Sequence, residues 1–391
     1  MTGVVPAPDL VALRRRLHSM PELALDLPRT QAELLTALTG LELEIRCYES
    51  SSAITAVIRG DRPGPTVLLR ADMDALPVRE RGDLEFASDN ENMHACGHDL
   101  HMAGLVGAVH ELAGRRDELA GTVLAVFQPG EEGAGGAQLL IDEGVLLTTG
   151  ELPVASYGVH VLSYCEPGTF QCREGAVMGA TSNFTLTING RGGHAARPHQ
   201  ALDPVTTAAL VVTAIQTLVA QRSSPGDPIV ATVGSLVAGT AGNVIPDDAV
   251  LRISLRATTA ERARSTEAQI VDISRSIAGA YGLTVDAVTT ADLPPTITDA
   301  SGAVLVEKVV ADLFGPEKHR AMAFPEMIAE DFSLFLQQTG GAFVLVGAAA
   351  GPPPYSVLPT NHSADVRFDD SVVPQIASFL AELAVRRLQE G

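Results

Sequence analysis

A chain of 391 residues is longer than one hydrophobic core usually supports, so two domains are expected. With 27 basic against 47 acidic residues and a net charge of −20, the balance argues against nucleic-acid backbones and anionic membrane surfaces as partners. A hydrophobic content of 46% with 19% charged residues excludes a disordered chain, and Lys only at 308 and 318, away from every motif below, argues against Schiff-base chemistry.

The run Met1-Thr-Gly-Val-Val-Pro-Ala-Pro reaches Arg14-Arg15-Arg16 without the apolar stretch of a secretory signal, and no segment reads as a membrane span. A cytoplasmic location is the expectation, in which Cys47, Cys96, Cys165 and Cys172, lacking framework spacing, remain thiols. Helices are predicted over 8–20 and over 29–39, the second with Thr30 as its cap and Leu34, Leu35 and Leu38 at helical spacing. Thr66 to Arg70 reads as a short strand leading into Ala71-Asp72-Met73-Asp74-Ala75-Leu76-Pro77, two carboxylates at a strand's carboxyl end. Then comes His94-Ala95-Cys96-Gly97-His98-Asp99-Leu100-His101, one thiol, three imidazoles and a carboxylate in eight residues. Thiolate and imidazole are the donors that zinc and similar divalent ions select. Asp99 is the expected cap of a helix to about 115, which leaves Cys96 and His98 in the loop before it.

Thr122 to Phe127 is a continuous apolar run of the kind buried in parallel sheets, followed by Gln128-Pro129-Gly130-Glu131-Glu132-Gly133. Adjacent glutamates after a buried strand are costly unless something positive faces them. Pro153 to His160 is a third strand-like run, ending in a histidine. Three strands thus deliver polar donors to their carboxyl ends, where open α/β sheets place their sites, and the alternation with helices predicts a doubly wound α/β domain. The glycines after Glu132 make no phosphate loop, because two glutamates precede them and no Gly-Lys-Ser/Thr follows.

From about residue 181 the pattern changes. Asn183 to Asn189 alternates as a half-exposed strand, Asp203 to Arg222 reads as a helix, 229–237 and 249–258 as strands, 260–281 as a helix and 283–288 as a strand. The order β-α-β-β-α-β is that of a ferredoxin-like unit inserted into the first domain. The α/β pattern then resumes with a helix near 301–314, a strand at 343–346 and a closing helix at 371–389. The expected division is 1–181 and 292–391 for a discontinuous catalytic domain, with 182–291 as the insertion.

Eight motifs in this order resemble the peptidase M20 family, specifically its amidohydrolase branch of hippurate, N-acyl-amino-acid and auxin-conjugate hydrolases. They are Ala71–Pro77, Cys96–His101, Pro129–Gly133, His160, Gly192-Gly193-His194-Ala195-Ala196-Arg197-Pro198-His199, Gly239–Pro246, Glu330-Asp331-Phe332 and Asn361-His362-Ser363. The resemblance implies a metal-bearing domain with an inserted lid and dimerisation domain. It implies metal ligation by Cys96, His98, Glu132, His160 and His362, with Glu131 as general base. Five donors exceed the needs of one tetrahedral site, which favours two divalent ions sharing a ligand, Cys96 first among the candidates; zinc, manganese, cobalt and nickel all suit the donor set. Many members of the wider family carry His-x-Asp where this chain has Asp72-Met73-Asp74, so Asp74 is read as orienting a ligand imidazole and Asp72 is left unassigned. His94, His101 and His110 are read as solvated or structural. The resemblance assigns His194, reaching the partner subunit's site, and Asn243 to substrate, and it likens Arg256 to a carboxylate-binding arginine; an exposed strand arginine is the alternative. The implied activity is cleavage of N-acyl-amino acids by a homo-oligomer, with a dipeptidase or aminopeptidase as the alternative.

Overall fold

Long apolar runs with small and β-branched side chains make the centre of the first sheet. In the computed structural model, which describes residues 8–224 and 226–390, the strands Ala120–Gln128, Arg62–Asp72, Ala155–Leu162 and Gly341–Gly347 lie side by side and parallel. Every residue of Ala155–Leu162 and of Gly341–Gly347 is buried, as strands covered on both faces must be. Around this core the sheet has eight strands in the order Glu44–Cys47, Ile54–Arg59, Ala120–Gln128, Arg62–Asp72, Ala155–Leu162, Gly341–Gly347, Phe170–Cys172, His319–Ala321. It is mixed, a parallel centre with antiparallel neighbours. Ile54–Arg59 runs antiparallel to Ala120–Gln128, and Phe170–Cys172 antiparallel to Gly341–Gly347.

The helices His98–Ala113 and Val373–Glu390 pack closely, because Gly104 offers no side chain where a Cβ would come 2.4 Å from Ile376. Two predicted caps are wrong. The first-turn residue of His98–Ala113 is His98 itself, after Gly97 at φ +87°, a left-handed conformation that glycine adopts without penalty. Asp99 lies inside the helix, its carboxylate taken by Arg14 and His18, each at 2.8 Å. The second helix, Pro28–Ala37, starts after Leu27, and Thr30 instead bonds the Glu22 carboxylate through its amide at 2.9 Å and its hydroxyl at 3.0 Å.

The chain forms two compact units: the first comprises residues up to Val177, Ile297–Ala323 and those from Leu334 on, the second Met178–Thr296 with Phe324–Ser333. The second unit holds a four-stranded antiparallel sheet in the order Ile229–Val237, Asp248–Ala257, Ala180–Asn189, Thr284–Leu293, with the helices Pro204–Arg222 and Ala260–Ala280 packed on it. Alternate residues Phe184, Leu186 and Ile188 of one strand and Leu251, Ile253 and Leu255 of its neighbour face a core shared with Ala208, Val211, Ile215 and Ile270 of the helices. Pro204–Arg222 is long and apolar enough to cross a membrane by length and composition alone; one stripe of it, Thr207, Ala208, Val211 and Ile215, is buried in this core.

Candidate metal centre

The carboxyl ends of the parallel strands are level, Asp72 opposite Gln128 and His160 opposite Leu345. Connections leaving this edge therefore bring distant residues together. Cys96, in the turn before His98–Ala113, has its Sγ 3.3 Å from His160 Nε2 and 3.2 Å from His362 Nε2. His362 Nε2 lies 3.2 Å from Glu132 Oε1, and His98 Nε2 3.9 Å from the same oxygen. Two groups, Cys96 with His98 and His160, and Cys96 with Glu132 and His362, each have their donor atoms within 4.8 Å of one another. They share one atom, the Cys96 sulfur. Glu131 joins His98 and Glu132 in a third group on the same criterion.

His160 donates from Nδ1 to the Val161 carbonyl at 2.9 Å, which leaves its Nε2 lone pair facing the sulfur. His98 is fully buried, yet among the described residues neither of its ring nitrogens has a hydrogen-bond partner, carboxylate oxygens of Asp72 and Asp74 standing 3.7 Å away. Buried unpartnered polar atoms are rare and mark a missing partner. His362 sits at φ +70°, sparsely populated for a residue with a side chain, and its amide donates to the Ala95 carbonyl at 2.8 Å.

Charge distribution agrees with a cation among these atoms. His362 is pushed up to about 10 by its hydrogen bonds to Cys96 and Glu132, which outweigh the opposing effect of burial. Burial disfavours the charged form of His98, but the Asp72 charge overcomes it and holds that imidazole well above its ordinary value. Positive charge is favoured at the centre of the cluster. His160, by contrast, is brought down to about 3 by burial and keeps a free lone pair at neutral pH. The thiol, imidazole and carboxylate donors with unpartnered nitrogens fit divalent ions.

Around the donors runs a second set of contacts. Asp74 accepts from the Glu131 amide with one oxygen and from the Glu132 amide with the other, both at 3.0 Å. It thus holds the glutamate turn, and its Oδ1 also lies 3.7 Å from His98 Nδ1, the imidazole it is expected to orient. Asp72, unassigned from sequence, pairs with Arg70 at 2.7 Å and with His101 Nδ1 at 2.6 Å, while Arg70 Nε donates to Gln128 Oε1 at 2.9 Å. Burial would raise Asp72, but the charges of His98, His101 and Arg70 prevail and hold it well below the carboxylate range. His101 is therefore structural and fully buried, not solvated; His110 bonds the Ala37 carbonyl at 2.8 Å, and His94 is buried. Asn361, quoted in a motif but given no role, donates to the carbonyls of Cys96 and Val161 at 3.2 and 2.9 Å and accepts from the Ser163 amide at 3.1 Å.

In the second unit, Val244 pairs with His194 across a two-stranded ribbon and the Ala195 amide donates to the Asn243 carbonyl at 3.1 Å, so His194 and Asn243 adjoin, both exposed. His194 Nδ1 accepts from the Ala196 amide at 3.0 Å, placing the ring proton on Nε2. Arg256 lies elsewhere, opposite Thr181, and bonds the Thr181 hydroxyl and, at 3.1 Å, Asn183 Oδ1. Eight residues of strand separate it from Asp248 at the ribbon end, about 25 Å. No acidic side chain pairs with Arg256 among the described residues, and burial lowers its pKa without an anion to offset it.

Comparison with known proteins assigns the class first: hydrolases acting on amide bonds. Residues 68–386 match Peptidase family M20/M25/M40, and the chain belongs to that family. It is 36% identical over 389 residues to an IAA-amino acid hydrolase of Arabidopsis thaliana, covering 98% of this chain and 87% of that one. A thermostable carboxypeptidase of Saccharolobus solfataricus is 33% identical over 382 residues, covering 96% of this chain and 95% of that one. Among solved structures, a dinuclear metal-binding peptidase of the M20 family from Bacillus subtilis superposes with a TM-score of 0.81 at 29% identity, covering 97% of each chain.

Proposed function

We propose that this protein is a two-metal amidohydrolase that cleaves the amide bond of N-acyl-amino acids. The observation that carries the reading is the pair of donor groups sharing the Cys96 sulfur: Cys96, His98 and His160 would hold one divalent ion, Cys96, Glu132 and His362 the other. Zinc, manganese, cobalt and nickel suit these donors; magnesium and calcium do not suit a thiolate. Bound there, such ions polarise a scissile carbonyl and acidify water. Glu131, beside Glu132 but outside both groups, takes the proton of the attacking water on its carboxylate and delivers it to the departing nitrogen. Asp74 keeps the two glutamates in these separate roles by fixing both of their amides.

The same reading gives the β-α-β-β-α-β unit the part of a ferredoxin-like lid and dimerisation domain within the expected span 182–291. Arg256, half-buried and without an acidic partner among the described residues, would bind the substrate's free carboxylate, and His194 and Asn243 would contact substrate, His194 in the partner subunit's site. A cytoplasmic location accords with four free cysteines.

The carboxypeptidase relative supports a rival reading as a peptidase. Incubating the ion-loaded protein with a panel of N-acyl-amino acids and dipeptides, and identifying both products chromatographically, separates the two. Release of free amino acid and free carboxylic acid from the acyl substrates is expected; cleavage of peptides alone would establish the peptidase.

A further inference from the structure

We propose that His101 is a positioning residue, which holds the backbone of Val161 and through it the ring of His160 in the orientation a metal ligand requires. The inference rests on the metal-site reading above and assigns a task to a side chain that touches neither substrate nor ion.

His101 follows His98 by three residues on the same helix, which brings both rings to one side, stacked at 5.4 Å between centroids. The pairing of Ala155–Leu162 with Arg62–Asp72 ends at Gly158 opposite Arg70. Beyond that point the Val161 amide lacks a strand partner on that side, and a buried N–H must find another acceptor. His101 Nε2 is that acceptor, at 2.9 Å. An accepting Nε2 carries no proton, so the proton sits on Nδ1 and is donated to Asp72 Oδ1 at 2.6 Å. Asp72 is in turn locked by Arg70 and Arg70 by Gln128. The next peptide along, Val161–Leu162, presents the Val161 carbonyl that accepts from His160 Nδ1 and from Asn361. Two successive peptides joined at the Val161 Cα thus couple His101 to His160: if the first loses its anchor the second can turn, and the ring it holds turns away from Cys96.

Asp72, His98 and His101 also have donor atoms within 4.8 Å of one another and could be mistaken for a third ion site. The bonding argues otherwise. His101 has one nitrogen protonated and the other engaged, and the Asp72 oxygens are held by His101 and Arg70.

Three variants test the assignment. His101→Gln can place a carbonyl oxygen near the Nε2 position and keep the Val161 bond; His101→Asn can place an N–H near the Nδ1 position and keep only the Asp72 bond; His101→Phe keeps the ring and loses both. Zn²⁺ is titrated into the chelator-stripped full-length proteins against a chromogenic competitor, and thermal unfolding of the same ion-free samples is recorded. The wild type should take up two ions. His101→Asn and His101→Phe should weaken one of them about 10- to 100-fold, the range found for partners that orient metal-binding histidines, while the other ion and His101→Gln stay close to wild type. Two wild-type-like affinities in the Asn and Phe variants, or a Gln variant as impaired as Phe, would overturn the positioning role. A general packing defect would lower the ion-free melting temperature and weaken both ions alike, which also overturns it. Should His101→Phe fail to fold, the contrast between Asn and Gln still decides. A wild type that binds no ion refutes the metal site itself, before any variant is compared.

Discussion

Glu131 and Glu132 are neighbours in sequence with different expected losses. Glu131→Gln should lower kcat about 100- to 10,000-fold, the usual contribution of a general base, and leave two ions bound. Glu132→Gln removes a donor from the group containing His362 and should lose one ion as well as turnover. Elemental analysis beside steady-state kinetics checks both, and near-normal kcat in Glu131→Gln would reassign the base. At this scale the sequence was informative about donors and poor at supports. Cys and His are few enough here that clustering is conspicuous. The tasks of Asp74 and Asn361 lie in bonds to backbone amides and carbonyls, and a backbone partner leaves no trace in residue identity. His101 did leave a signal, its spacing of three from His98, but nothing in sequence shows that the Val161 amide awaits it.

The elements were legible where their surroundings are uniform. The runs around 122–127, 153–160 and 343–346 are largely apolar because both faces are covered, and each is a strand of the parallel core. Glu44–Cys47, exposed at every position on the sheet's edge, carries no such pattern and was missed. Caps failed for another reason: Asp99 serves a long-range partner in preference to its own helix. It ties the first helix, Leu10–His18, to the start of His98–Ala113 through Arg14 and His18, while His18 Nε2 reaches Glu80 at 3.3 Å. Burial opposes a charge on His18, but the Asp99 charge and the hydrogen bonds of Asp99 and Glu80 outweigh burial and Arg14, so its folded pKa lies above 6.5. A raised folded value means that the protonated histidine contributes stability fully below about pH 6.5 and loses it as pH rises through the folded value. Urea denaturation of ion-free wild type and His18→Gln should therefore show a stability gap at pH 6 that narrows by pH 9. A gap independent of pH would place the stabilisation in packing alone.

For the whole molecule the expected assembly is a dimer whose sites are shared. His194 and Asn243 adjoin on a two-stranded ribbon, whereas Arg256 lies opposite Thr181 on the four-stranded sheet, near the far end of its strand from Asp248. Glu131→Gln and His194→Ala chains, each inactive alone, should regain activity when mixed under conditions of subunit exchange, up to about one working site per mixed dimer in a two-fold assembly. Mixed dimers that stay inactive, with exchange verified by mass, would confine each site to one chain.

The strand Gly341–Gly347 lies between Ala155–Leu162 and Phe170–Cys172, yet about 170 residues are synthesised after Cys172 before it exists. At the usual 5–20 residues per second the ribosome needs roughly 8–35 s for that stretch. Throughout this interval the nascent chain carries Ala155–Leu162, wholly buried in the finished protein, as an open apolar edge. The insertion is thus also a delay line: it sets how long a half-built sheet must be kept from other chains, and it postpones completion of the ligand set until His362 has emerged.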